Sequence, residues 1–123
     1  MKLVFLLAVI AYCNGQETIK SQGVAPSSNS LGSMKIVQGM WHFNSMSING
    51  YPVYPVQGSF GNTFQRPPAM IYSLKLVHIA NNVAPLYQIY DEKITNTQIQ
   101  ASVKFFGGFQ IHQFWIQWTA IGY

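Results

Sequence analysis

The chain has 123 residues, of which 49% are hydrophobic and 15% aromatic but only 8% charged, against about 25% charged in ordinary globular proteins. That length supports a single domain, and the aromatic content is ample for one packed core. Seven basic residues stand against three acidic ones with no two basic residues adjacent, which argues against a nucleic-acid partner.

The opening residues, MKLVFLLAVIAYCNG, read as a secretory signal peptide over residues 1–15. Lys2 supplies the basic start, and Leu3 to Ala11 form an apolar stretch too short to span a bilayer. Cleavage after Gly15 leaves Gln16 first, and bulky Tyr12 disfavours a lipoprotein reading of Cys13. The protein is therefore expected to be secreted. Cleavage would remove the only cysteine, and with it any disulfide, thiol nucleophile or thiolate ligand. A small extracellular domain of this kind depends on a dense aromatic core or on subunit association. No other apolar run reaches membrane-spanning length.

Residues 16–34 are rich in Ser, Gly and Gln without an apolar period, and read as a flexible polar leader. From Lys35 to Tyr123 the pattern is strand after strand. In Gln98 to Phe105, Ile99, Ala101, Val103 and Phe105 alternate with Gln98, Gln100, Ser102 and Lys104, as a half-buried strand requires. Met70 to His78 puts Met70, Tyr72, Leu74 and Leu76 on one face, with Pro67-Pro68 at its start. Leu86 to Tyr90 is another strand. Phe114 to Ile121 is apolar on both faces, which suits a strand buried on both sides or lying at a subunit contact. Asn49-Gly50 is a two-residue hairpin signal, and Asn81-Asn82, Thr95 to Thr97 and Gly107-Gly108 mark further turns. The expectation is an all-β antiparallel sandwich or barrel.

Catalytic readings find little support. Asp91 and Glu92 are neighbours and on a strand would point to opposite faces, so they cannot flank one glycosidic bond. His42, His78 and His112 lack a zinc spacing. No G-x-S-x-G elbow, calcium-type carboxylate set or phosphate-cradling glycine loop is present. The chain reads as a non-enzyme with neither cofactor nor metal.

The segment FGNTFQRPPAMIYSL, the strand ITNTQIQASVKF and the ending FWIQWTAIGY resemble the H-type lectin domain, the family of discoidin C-terminal domains and snail agglutinins. Phe60 and Phe64, Pro67 and Pro68, Thr95 to Phe106, and Trp118 to Ile121 carry the likeness, which covers residues 35–123. The resemblance implies a six-stranded antiparallel β-sandwich that assembles as a homotrimer. It also implies binding of galactose-type glycans, N-acetylgalactosamine above all, with multivalency raising weak single-site affinity.

The family's sugar contacts map unevenly onto this chain. Leu86 falls where the family has an arginine, Phe106 matches its stacking aromatic, and Gly107 replaces the polar residue that follows. The family's N-terminal aspartate has no counterpart, because residues 35–66 contain no Asp. Gln88, Tyr90 and His112, with Asn81, Asn82 and Gln113, are candidate replacement ligands, since amides offer both donors and an acceptor. Two functions follow: a secreted multivalent lectin for recognition or adhesion, or a structural matrix or adhesive protein that keeps the fold without sugar binding.

Overall fold

The computed structural model describes residues 18–23, 33–80 and 84–123. The expected signal peptide, most of the polar leader and the Asn81-Asn82 turn lie outside the described residues. Seven strands are present: β1 (Ile19–Gln22), β2 (Lys35–Ile48), β3 (Val53–Ser59), β4 (Ala69–Ile79), β5 (Leu86–Ile94), β6 (Gln98–Phe106) and β7 (Phe109–Gly122). There is no helix among the described residues. They form a four-stranded sheet ordered β1-β3-β6-β5 and a three-stranded sheet ordered β2-β7-β4.

This is the expected all-β sandwich with one strand more than six, and one pairing is parallel. The extra strand is β1, which lies within the polar leader and runs parallel to β3, from Ile19 opposite Val56 to Gln22 opposite Ser59. Its residues show little periodicity because only one sheet neighbour and the edge of β2 hold it. The hydroxyl of Ser21 accepts the Met40 N–H at 2.8 Å. The β1 pairing also stops short of Pro55, so the imide nitrogen falls where β3 has no partner on that side.

Period-two alternation drives the core. β6 buries Ile99, Ala101, Val103 and Phe105, and β7 buries Phe114, Ile116, Trp118 and Ala120. Trp41, Phe43, Tyr54, Phe60 and Phe64 fill the space between the sheets. The rings meet edge to face, with Phe105 at 5.2 Å from both Phe43 and Phe114, a favoured aromatic geometry. Trp118 is fully buried and lies flat against Gly39 and Gly58. A Cβ on Gly58 would approach the indole at 2.7 Å, so a glycine is what lets the ring fill this gap.

Two features depart from simple alternation. Asn49-Gly50 is not a two-residue hairpin, because β2 pairs with β7 and β3 pairs with β6. The turn carries the chain from one sheet to the other, with Gly50 at φ 74°. Among the described residues the one hairpin joins β5 to β6, where the Thr95 hydroxyl accepts the N–H groups of Thr97 and Gln98 at 3.2 Å. In β4 the register shifts between Leu74 and Leu76, so Leu76 pairs with Trp115 while Leu74 pairs with Ile116. Leu76 therefore leaves the face it was expected to share with Met70, Tyr72 and Leu74. A bulge inserts one residue and inverts the alternation beyond it.

Candidate functional site

The outer face of β3, β6 and β5 gathers most of the residues singled out in the sequence. Along β6 the side chains that alternate with the core are Ser102, Lys104 and Phe106, all half-buried. The register sets Leu86 opposite Phe106, Gln88 opposite Lys104, and Tyr90 opposite Ser102. On the other flank Val53 faces Lys104 and Pro55 faces Ser102. Leu86, Gln88, Tyr90 and Phe106 are thus brought together, with Leu86 63% exposed in spite of its apolar side chain.

Tyr51 completes the aromatic end of this face. The Gly107 N–H donates to the Gly50 carbonyl at 3.0 Å and the Phe105 N–H to the Pro52 carbonyl at 3.1 Å. These two bonds tie the β2–β3 connection to the end of β6. They set the Tyr51 ring 5.8 Å from Phe106, edge to face, and leave it 67% exposed. Gly107 itself takes φ 107°, a backbone that side-chain-bearing residues rarely adopt. Its contribution is the turn from β6 into β7 and not a polar ligand.

Charge enters through Lys104. Its ammonium sits 5.3 Å from the Phe106 ring centre and 5.7 Å from that of Tyr51, within cation–π range of both. Next along the sheet, Pro55, Gln57, Asp91, Lys93, Gln100 and Ser102 line a shallow depression. Asp91 adopts φ 55° in the bulge of β5, where two residues oppose Ala101, and its carboxylate pairs with Lys93 at 3.8 Å. The other acid, Glu92, turns toward the second sheet and accepts the Tyr72 hydroxyl at 2.5 Å. Burial and this carboxylate together push the Tyr72 hydroxyl far above its ordinary pKa. The two neighbouring carboxylates therefore serve separate partners.

His112 does not join this site. It lies on β7, in the other sheet, with its ring 4.8 Å from His78. Gln113 pairs with Asn44 and His78 on that same far face. The irregular register around His112 sets its direction, and no signal in the sequence announces it. Tyr51 and Lys104 are the reverse case, present at the site though outside the ligand set read from the sequence. Lys104 had a usable signal, since it stands two residues before Phe106 on one strand face; Tyr51 depends on a cross-sheet connection. Among the described residues, no three His, Cys, Asp or Glu side chains cluster in a way that could hold a metal.

Two partly exposed rings, an amide, hydroxyls and one lysine thus share one face of the four-stranded sheet. The H-type lectin domain model matches residues 56–121, from the middle of β3 to the end of β7. The chain belongs to the H-type lectin domain family, whose members are carbohydrate-binding and non-enzymatic. Comparison with curated proteins gives no match.

Proposed function

We propose that the protein is a secreted, multivalent lectin that takes galactose- or N-acetylgalactosamine-type glycans at the Tyr51–Phe106–Leu86 end of the β3-β6-β5 face, for recognition or adhesion. The observation that carries the reading is the register of β5 on β6, which stands the half-buried Phe106 ring on one face with an amide and a hydroxyl side chain. A pyranose offers an apolar C–H face to such a ring while its hydroxyls meet Gln88, Tyr90 and Ser102. Secretion rests on the signal-peptide pattern of residues 1–15.

Assembly as a homotrimer draws support from the other sheet. On β7, Gln113, Trp115, Gln117, Thr119 and Ile121 are half-buried and alternate with the core. Their partners on β2 are Asn44, His42, Met40, Gln38 and Ile36. None of these ten is an acid, a lysine or an arginine, and Trp115 is steadied by its bond to Asn44 at 2.8 Å. A neutral face of this kind suits contact between copies better than permanent exposure.

A second reading, a matrix or adhesive protein without sugar binding, is favoured by one observation: Leu86 exposes an aliphatic side chain opposite Phe106, at the end of the face where the sugar would stack. Glycan-array screening of the secreted protein and Phe106→Ala separates the two. The lectin reading expects binding to galactose-type glycans and a loss of tenfold or more on Phe106→Ala, with His112→Ala unchanged. A folded protein that binds no glycan at high valency supports the matrix reading.

A further inference from the structure

We infer that the site selects glycans carrying an anionic group, a sulfate ester or a carboxylate, and that Lys104 is the residue that reads it. The inference rests on the lectin reading and narrows its ligand class.

The ammonium of Lys104 is held between two partly exposed rings, 5.7 Å from Tyr51 and 5.3 Å from Phe106. Those rings fix the position of the charge but do not neutralise it. Among the described residues the single ion pair is Lys93–Asp91. Glu92 is turned to Tyr72 on the opposite sheet. Lys104 faces Val53 on one side and Gln88 on the other, neither of which offers a carboxylate. A half-buried cation among rings, with an amide beside it, is built to accept a charge-assisted hydrogen bond partner. A sugar stacked on Phe106 would place its substituents over Lys104, because the two residues stand two apart on one strand face. Neutral sugars would keep the ring contact and the hydroxyl bonds but meet no ionic partner.

Titrating the secreted full-length protein with a galactoside, the same galactoside bearing a sulfate ester, and its sialylated counterpart provides the test, read by calorimetry in low and physiological salt. The expected result is binding of at least one anionic ligand about tenfold tighter than the neutral one, weakening as salt rises. Lys104→Met keeps the aliphatic stem on the rings and should erase that preference, so that the anionic and neutral ligands bind alike. Lys104→Arg should retain it and also controls for folding. Which of the two anionic ligands responds identifies the charged group. Equal affinity for neutral and anionic ligands, or a preference that survives Lys104→Met, overturns the inference and leaves the lectin reading standing. Absence of binding to all three ligands by folded protein overturns both.

Discussion

Trp118 sets the spacing of the two sheets, and the residues around it leave no room for error. Gly58→Ala would place a methyl 2.7 Å from the indole and should cost about 1–3 kcal/mol, the usual penalty for overpacking, measurable by denaturant unfolding. Tyr54 presents the opposite case. Its buried hydroxyl has no hydrogen-bond partner among the described residues, so Tyr54→Phe should be neutral or stabilising by up to about 1 kcal/mol. Burial also raises the Tyr54 pKa well above its ordinary value near 10. Above pH ~10 the unfolded chain releases this proton while the folded chain keeps it, so stability falls as pH rises further. Thermal unfolding followed from pH 8 to 11 should show that decline, and Tyr54→Phe should lessen it, leaving the part that Tyr72 contributes in the same way. At this scale the sequence was a good guide wherever one strand decided the outcome. Phe106, Leu86, Gln88 and Tyr90 share a face because two alternating strands meet in register. Tyr51 was not legible, because its position depends on two backbone bonds between segments more than fifty residues apart.

Strand elements carry the fold, and their irregularities decide which side chains face outward. The eight-residue alternation of β6 and the breakers around it were enough to define strands and an all-β sandwich. Bulges were not legible, since nothing in Leu74-Lys75-Leu76 or Tyr90-Asp91-Glu92-Lys93 distinguishes an extra residue from an ordinary one. The Asn49-Gly50 turn misleads for a related reason. A turn preference fixes backbone angles but not which sheet receives the next strand. The β5–β6 hairpin has a local stabiliser in Thr95, whose hydroxyl accepts two backbone N–H groups. Thr95→Ala should cost about 1 kcal/mol, seen as a lower unfolding midpoint with unchanged far-ultraviolet circular dichroism. Ser21 holds β1 to β2 through Met40, and Ser21→Ala should loosen β1 selectively, raising amide exchange at Val56 to Ser59 more than in β7.

At the scale of the whole molecule, the two sheets present contrasting outer surfaces. One carries rings, a lysine and a polar depression; the other is amide-rich and uncharged along β2 and β7, and is crossed by Trp115. That contrast suits the proposed division between sugar contact and subunit contact, in which assembly would multiply weak single-site binding. Family membership was readable from ordered motifs spread along the chain, and the matched residues 56–121 contain most of them. The ligand-bearing detail was harder to read, because function resides in the site and not in the fold. Chemical-shift mapping of the isotopically labelled protein with galactose-type oligosaccharides, neutral and anionic, tests the central claim most directly. The account expects perturbations centred on Tyr51, Leu86, Gln88, Lys104 and Phe106. Perturbations confined to the β2-β7-β4 face, or none at saturating ligand, would contradict it.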